Sequence, residues 1–192
     1  MSAAPAPRRI RLVPQDAELL ALLGEPGAAA GAPEAAAAFA RQHGASIEVE
    51  ELPLVREVVA QFLELARRVG ASAPWICYLT VCEQQRAVIG CCGFKGNPAP
   101  ARPDAPAGLR CVEIAYFTFP RFERQGYATA MAAALFDLAR GADGAVQLAI
   151  AHTLPERNAS TRVLERNGFR FAGELIDPED GRVWRWERAT AE

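Results

Sequence analysis

Residues 123–129, with the sequence ERQGYAT, have the side chains expected where the start of a helix binds an anion. Gly126 and Ala128 are small, and the alanine-rich run after them predicts a helix over residues 129–139. The first turn of a helix carries unpaired backbone N–H groups and a partial positive charge, so small side chains leave room there for a phosphate group. Arg124 adds positive charge nearby. The alternative is a plain turn from strand to helix that binds nothing.

One carboxylate stands in an otherwise apolar strand. Glu113 lies near the start of CVEIAYFTF, residues 111–119. The strand period of two places four apolar residues on its face: Cys111, Ala115, Phe117 and Phe119. Burial on such a face would raise the pKa of the carboxyl group and make it a candidate general base. The alternative is a strand carboxylate that reaches solvent or an arginine.

Two more polar residues follow the next predicted strand, residues 145–154. His152, one of two histidines in the chain, ends that strand. A histidine in this position is usually structural, but it can also exchange a proton or contact a substrate. Asn158 precedes a short helix predicted over residues 159–167, which Gly168 closes, and the simplest role for Asn158 is to cap that helix.

The apolar pattern predicts the elements that position these residues. Residues 51–70 form an amphipathic helix that ends at Gly70, and its apolar stripe consists of Val55, Val58, Val59, Phe62, Leu63, Leu65, Ala66 and Val69. Three β-branched and aromatic runs then predict an antiparallel meander. A proline-rich irregular loop at residues 97–108 interrupts it and can border a substrate cleft, and a closing hairpin surrounds residues 177–181. The predicted order is β-α-α-β-β-β-α-β-α-β-β, without internal repeats.

Composition narrows the class of protein. The 192 residues, 51% hydrophobic and 23% charged, fit one soluble domain, with residues 1–8 as a disordered leader and residues 24–45 as a mobile or partly helical insert. No apolar run is long enough to span a membrane, and a net charge of −2 does not suit a nucleic-acid binder. The cysteines lack metal-ligand spacing and are expected to be reduced, buried thiols of a cytoplasmic protein: Cys77, Cys82, Cys91, Cys92 and Cys111.

The stretch ERQGYATAMAAAL resembles the acetyl-CoA pyrophosphate loop of the GNAT acetyltransferase superfamily, which reads Gln/Arg-x-x-Gly-x-Gly/Ala before a helix. The resemblance covers most of the chain, from RRIRLVPQDAELLAL to LPERNASTRVLERNGFRFAGEL. One departure is Glu123, which stands where the family usually has glutamine or arginine. The resemblance implies a mixed, mostly antiparallel α/β sheet of six or seven strands flanked by helices, with the fourth and fifth strands splayed apart.

The resemblance also implies a site for acetyl-CoA as co-substrate, and no metal. The residues that it assigns to the cofactor are Phe117, Thr118, Phe119, Arg124, Gln125, Gly126, Tyr127, Ala128, Thr129 and Asn158. Of these, Asn158 is expected to bond the amide of the pantetheine arm. The backbone of the loop is expected to hold the pyrophosphate.

Three residues are the catalytic candidates that follow from the resemblance. Glu113 lies in a context similar to that of the general base in the histone-acetylating branch, and His152 is the rival candidate at the strand gap. The tyrosine that often serves as general acid would fall at Leu164, which cannot donate a proton. Ser160 is therefore expected to hydrogen-bond the departing sulfur, as in the branch that acetylates the N-termini of ribosomal proteins, which this chain resembles most. An exposed serine without a catalytic role is the alternative.

These features predict a cytoplasmic N-acetyltransferase that moves an acetyl group from acetyl-CoA to a primary amine by direct attack. The acceptor is either a protein N-terminus or a small-molecule amine. No nucleic-acid or membrane partner is expected, and the protein is expected to be a monomer or a homodimer. The alternative is a catalytically inactive acyl-CoA-binding regulatory module, with which the missing tyrosine and Glu123 are consistent.

Overall fold

A computed structural model describes residues 8–27, 31–101, 108–142, 146–178 and 180–191. The elements in chain order are β1 (Ile10–Pro14), α1 (Ala17–Leu23), α2 (Ala32–His43), α3 (Leu52–Val69), β2 (Cys77–Cys82), β3 (Ala87–Phe94), β4 (Ala99–Pro100), β5 (Arg110–Thr118), a 3₁₀ turn (Pro120–Phe122), α4 (Tyr127–Arg140), β6 (Leu148–Thr153), α5 (Ala159–Arg166), β7 (Arg170–Asp177) and β8 (Gly181–Ala189). Relative to the predicted order, the structure adds α2 and the two-residue strand β4.

The sheet is mixed and mostly antiparallel, as predicted. The strand order is β1-β2-β3-β5-β6-β8-β7, and β4 pairs with β5 outside that path. The sheet has eight strands, more than the six or seven expected, because β4 forms inside the proline-rich segment that was predicted to be irregular. Helix α4 packs on β3 and β5 and contributes fully buried side chains such as Met131 and Leu135 to the core.

The one parallel pair of strands within the described residues, β5 and β6, separates along its length. Three residue pairs join the strands, and Glu113 opposite Ile150 is the last. Beyond that pair β5 stays bonded to β3 as far as Thr118, and β6 stays bonded to β8 as far as Thr153. The expected splay of the two strands is confirmed, and it leaves a gap in the middle of the sheet.

Helix α3 has the predicted amphipathic character. Val55, Val59 and Leu63 are buried at helical spacing, and the C-cap Gly70 takes the left-handed conformation at φ 63°. The predicted stripe is too long at its C-terminal end, because Val69 lies in the last turn and is 42% exposed.

The low-complexity segment contributes to the core. Helix α2 has a proline in its first turn and packs on α1, and the side chain of Phe39 is fully buried in the main hydrophobic core. The structure shows the helical part of the expected insert at residues 32–43, where one buried aromatic residue anchors the helix. Residues 28–30 lie outside the described part of the chain.

Arg8, the last residue of the expected leader, has a defined place in the structure. Residues 1–7 lie outside the described residues, but Arg8 is placed on the turn before α4. Its Nε donates to the carbonyl oxygen of Gln125 at 3.1 Å, and its guanidinium carbon lies 5.2 Å from the ring centroid of Tyr127.

The cysteines are buried and form no disulfide in the described residues. Burial raises the pKa of Cys91 and of Cys92 to about 12, so both stay protonated thiols at neutral pH. No group of side chains suited to holding a metal ion occurs among the described residues. The described helices also include none with the length and apolar character needed to cross a membrane.

The burial of Phe39 makes the α2 segment testable as part of the folded core. Phe39→Ala is expected to lower the free energy of unfolding by about 3–5 kcal/mol, measured by urea titration, because it leaves a cavity in a fully packed site. Phe117→Ala is the control, since that ring is 44% exposed and loses less burial. If Phe39→Ala and Phe117→Ala lowered the free energy of unfolding equally, Phe39 would not anchor α2 to the core.

Candidate active site

Two neighbouring hollows lie where β5 and β6 part. The histidine hollow, a cavity of about 310 Å³, is lined by β5, β6 and the β7–β8 turn, with Glu113 and His152 among its residues. The loop hollow, of about 480 Å³, is lined by the end of β5, most of residues 122–129 and one face of α5. Tyr116 and Ser160 line both hollows, so the two cavities meet at these side chains.

The start of α4 is open to the loop hollow. Gly126 is the N-cap, in the left-handed conformation at φ 87° and without a side-chain cap. A Cβ added at Gly126 would meet no atom within 4 Å, so the glycine borders open space. The first hydrogen bond of the helix joins the Ala130 N–H to the Gly126 carbonyl, which leaves the N–H groups of residues 127–129 without helical partners.

The side chain of Tyr127 anchors the start of α4 to the sheet. The ring is 1% exposed, and its hydroxyl accepts a hydrogen bond from Gln85 Nε2 at 3.0 Å and lies 3.3 Å from Cys82 Sγ. Because both partners belong to the β2–β3 turn region, the backbone of the loop is tied to the sheet. The amide groups are therefore held in place before any ligand arrives.

The loop hollow also contains a polar atom without a partner. Thr118 Oγ1 is buried and has no hydrogen-bond partner among the described residues. A buried hydroxyl normally has a partner, so this one marks a place for a ligand or water atom. Together with the open amides of α4, it makes the hollow suitable for a long ligand that carries phosphate groups.

Most of the residues expected to hold the cofactor line the loop hollow: Phe117, Thr118, Arg124, Gly126, Tyr127, Ala128 and Thr129. Phe119 does not, because its side chain is 1% exposed in the core. Gln125 also turns away, since its side-chain amide donates to the Arg121 carbonyl at 2.9 Å. Glu123, the departure from the family pattern, does line the hollow.

Asn158 caps α5, as its position in the sequence predicts. Its Oδ1 accepts from the Thr161 N–H at 3.1 Å, and Thr161 Oγ1 accepts from the Asn158 N–H at 3.1 Å, a reciprocal capping box. Asn158 lines neither of the two hollows. Its contact with a pantetheine amide stays a prediction, while its structural role fixes the start of the helix that carries Ser160.

Glu113 and His152, which the sequence presented as rivals, are hydrogen-bonded partners. His152 Nδ1 lies 3.1 Å from Glu113 Oε1, and Lys95 Nζ lies 2.9 Å from the same oxygen. The β3–β5 register places Lys95 beside Glu113, where the Lys95 N–H also donates to the Glu113 carbonyl at 3.0 Å. Asp180 from the β7–β8 turn lies 3.5 Å from Lys95 Nζ on the outer side.

The expected rise in the pKa of Glu113 is wrong. Burial alone would raise it, but the hydrogen bonds from His152 and Lys95, with the charge of Lys95, outweigh burial and hold the pKa below its usual value. Glu113 is therefore a carboxylate at neutral pH and a weak base. In the same pair, the pKa of Lys95 is raised, because its contacts with Glu113 and the nearby aspartates outweigh the effect of burial.

The carboxylate determines which nitrogen of His152 carries the proton. An ionised carboxylate only accepts hydrogen bonds, so Nδ1 must be the donor, and in the neutral ring Nε2 then carries the lone pair. The His152 side chain is 9% exposed, and Nε2 is buried without a hydrogen-bond partner among the described residues. His152 thus lines the histidine hollow and has a buried ring nitrogen with a lone pair.

The junction of the two hollows carries two hydroxyl groups. The Tyr116 hydroxyl donates to the Ser160 carbonyl at 3.3 Å, and burial raises the pKa of Tyr116 to about 12, so it keeps its proton at neutral pH. Ser160 presents its hydroxyl from the first turn of α5. Leu164 is fully buried in the core, in agreement with the expectation that it donates no proton.

Lys95, Tyr116 and Asp180 are the site residues that sequence reasoning missed. Lys95 and Asp180 have no motif of their own and come to Glu113 through the β3–β5 register and the β7–β8 turn. Tyr116 could have been identified from the sequence, because it is a polar aromatic residue on the same predicted strand as Glu113. The two adjoining hollows together contain a proton acceptor, His152, two hydroxyl groups, those of Tyr116 and Ser160, and the unpaired backbone amides of α4. This combination suits the transfer of an uncharged group between two ligands.

Comparisons with known proteins agree with this geometry. A family model described as an acetyltransferase (GNAT) domain matches residues 10–170. Among curated proteins, no sequence matches the chain closely enough to count as a relative.

Solved structures of similar fold include three acetyltransferases. An acetyl transferase from Salmonella typhimurium that modifies the N-terminal serine of a ribosomal subunit protein is 18% identical, with 94% of each chain covered and a TM-score of 0.56. The putative acetyltransferase yncA from Salmonella typhimurium, solved with its cofactor acetyl-CoA, is 15% identical, with 97% of this chain and 95% of that chain covered and a TM-score of 0.54. Mutant forms of the spermidine/spermine N-acetyltransferase from Vibrio cholerae are 15% identical, with 69% and 74% covered and a TM-score of 0.51.

At these identities the solved structures establish a shared fold. The family model goes further, because it spans more than four fifths of the chain and includes β5, the α4 loop and α5. The chain therefore belongs to the GNAT acetyltransferase family.

Proposed function

We propose that this protein transfers an acetyl group from acetyl-CoA to a primary amine by direct attack of the amine. The observation that carries the proposal is the buried, unpartnered Nε2 of His152, in a hollow that meets the loop hollow at Tyr116 and Ser160. An amine that enters the histidine hollow would find a proton acceptor there. The acyl donor would reach it from the loop hollow.

The loop hollow has the groups that acetyl-CoA requires. The N–H groups of residues 127–129 and the positive end of α4 suit the pyrophosphate, and the gap between β5 and β6 suits the narrow pantetheine arm. Acetyl-CoA supplies an activated thioester, so no nucleophile of the enzyme is needed. Structures of similar fold that were solved with acetyl-CoA support this assignment.

His152 is the proposed general base. Its Nε2 would take one proton of the bound ammonium group and so free the lone pair for attack, while Glu113 holds the proton on Nδ1 and stabilises the imidazolium that forms. The second N–H proton would pass to the departing thiolate, which leaves as the thiol. Lys95 keeps Glu113 ionised and therefore fixes this tautomer. Lys95 and Glu113 are positioning residues in this proposal.

Ser160 is the proposed hydrogen-bond donor to the departing thiolate. It lies at the junction of the hollows, at the start of a helix whose N-terminus favours a negative charge nearby. Tyr116 is the alternative donor: its hydroxyl stays protonated at neutral pH, but it would have to leave the Ser160 carbonyl, to which it donates at 3.3 Å, in order to bond the thiolate.

The acceptor is proposed to be a cationic primary amine. Two carboxylates, Glu113 and Asp180, and one ammonium group, Lys95, line the histidine hollow, so its charge favours an ammonium ion. A protein N-terminus and a small-molecule amine both fit this description, and proteins of similar fold act on each kind. A cytoplasmic location and a monomeric or homodimeric state stay predictions.

The alternative function, an inactive acyl-CoA-binding module, predicts cofactor binding without turnover. Incubation of the protein with acetyl-CoA and a panel of peptides and small amines, with release of free thiol measured, separates the two. Thiol release that depends on an amine supports the enzyme. Binding without release for every amine would support the module.

Cofactor binding is expected to depend on the space at Gly126. Acetyl-CoA should raise the melting temperature of the protein, because a ligand bound only to the native state stabilises it, and Gly126→Val should abolish that rise. The matched control is Gly31→Val, which replaces another helix N-cap glycine of positive φ, 77°, that also borders open space. A rise that persists in Gly126→Val would show that the loop is only a turn.

Turnover at neutral pH is expected to identify the base. His152→Gln should lower kcat by about a hundredfold, because it removes the nitrogen that would take the proton of the amine. Glu113→Gln should lower kcat less, by about tenfold, since the amide oxygen can still accept from Nδ1 but carries no charge to stabilise the imidazolium that forms. The melting-temperature rise with acetyl-CoA should persist in both variants. If Glu113→Gln lowers kcat more than His152→Gln does, Glu113 is the base.

Ser160→Ala is expected to lower kcat by about tenfold while the affinity for acetyl-CoA stays within twofold, because the hydroxyl bonds the sulfur only as it departs. The control is Ser160→Thr, which keeps a hydroxyl and should recover most of the rate. Parental activity in Ser160→Ala would leave Tyr116 as the donor, to be tested with Tyr116→Phe.

A further inference from the structure

We propose that Arg162 and Arg166 of α5 bind the 3′-phosphate of CoA and make the protein selective for CoA over 3′-dephospho-CoA. This inference rests on the proposed function, because it needs acetyl-CoA in the loop hollow. It assigns a role to two residues that the proposed reaction does not use.

The two arginines share one face of α5. They are four residues apart, so their side chains are neighbours on the helix surface, and both line the loop hollow together with the start of α4. Both are exposed, and neither guanidinium group forms a hydrogen bond or an ion pair with another described residue. Like charges at this spacing repel each other, and folding gains nothing from placing them side by side.

The acidic residues nearby do not neutralise this pair. Glu165, the acid of α5, is bonded to Arg157 at 3.0 Å, outside the loop hollow. Glu123 is the acidic residue among those that line the hollow, and Arg124 lines it together with the α5 pair. The lining thus carries three guanidinium groups and one carboxylate, an excess of positive charge that a bound anion would balance.

Helix electrostatics account for one of the two arginines only. Arg166 lies in the last turn of α5, where a cation interacts favourably with the helix dipole. Arg162 directly follows the first turn, where the dipole gives a cation no such benefit. Its position in the hollow therefore needs another explanation, and a ligand phosphate supplies one.

The chemistry of CoA matches two separate anion sites. The pyrophosphate is a diester with one charge on each phosphorus, and the unpaired N–H groups at the start of α4 suit it. The 3′-phosphate is a monoester with up to two charges and three terminal oxygens, which suits planar guanidinium groups that bond two oxygens at once. The loop hollow, about 480 Å³, offers the amides and the arginine pair within one cavity.

The test is isothermal titration of the purified protein with CoA and with 3′-dephospho-CoA. The parent protein is expected to bind CoA about 10–100-fold more tightly, since charge-assisted hydrogen bonds to one phosphate are worth that much. Arg162→Gln/Arg166→Gln should bind CoA about 10–100-fold more weakly than the parent and 3′-dephospho-CoA within about twofold of it.

Arg157→Gln/Arg170→Gln is the matched control. It removes the same two charges from residues that line a different hollow next to α5, so it keeps the overall charge change and leaves the loop hollow intact. This control should preserve the preference for CoA. Because all four arginines are exposed, circular dichroism is expected to show folded protein for both double variants.

Each other outcome overturns the inference in a distinct way. Equal affinity of the parent for the two ligands would show that the 3′-phosphate is not recognised. Equal weakening of both ligands in Arg162→Gln/Arg166→Gln would place the pair on the pyrophosphate. If Arg157→Gln/Arg170→Gln also lost the preference for CoA over 3′-dephospho-CoA, the preference would depend on overall charge and not on the α5 pair. If neither ligand binds the parent protein at all, the proposed function fails with the inference.

Discussion

The parting of β5 from β6 is the constraint on which the rest of the site depends. The strands pair in parallel for three residues and then separate, each held by its outer neighbour, β3 or β8. Backbone groups that face the gap have no strand partner, and buried backbone groups need partners from elsewhere. The gap is therefore a place where a ligand can complete the sheet, and both hollows open from it.

Glu113 occupies the last paired position before the gap, and this position explains its role. A carboxylate there is too buried to stay charged alone, but Lys95 from the end of β3 and His152 from β6 both bond its Oε1. The charge that Lys95 stabilises fixes the tautomer of His152. The sequence suggested Glu113 as the general base. In the structure Glu113 instead orients His152 and prepares it to act as the base.

Local patterns allowed much of the structure to be predicted from the sequence. The α3 stripe, the cap at Asn158 and the small residues of the α4 loop follow from short-range rules, and the structure shows each in place. The cluster around Glu113 could not be predicted in this way, because Lys95 and Asp180 reach it through strand register and a hairpin turn. The direction of the pKa shift was missed for the same reason, since sequence indicates burial but does not reveal the partners of a buried group.

The two hollows carry opposite charges, and this difference directs the two ligands to different cavities. The loop hollow combines Arg124, Arg162 and Arg166 with the positive end of α4, whereas two carboxylates outweigh one ammonium group in the histidine hollow. A phosphorylated cofactor is therefore attracted to one cavity and an ammonium-bearing acceptor to the other, and each cavity disfavours the ligand of its neighbour. Where they meet, Tyr116 and Ser160 present uncharged hydroxyl groups, so the boundary favours neither ion. The net charge of −2 conceals this division, because it sums 21 basic and 23 acidic residues over the whole chain.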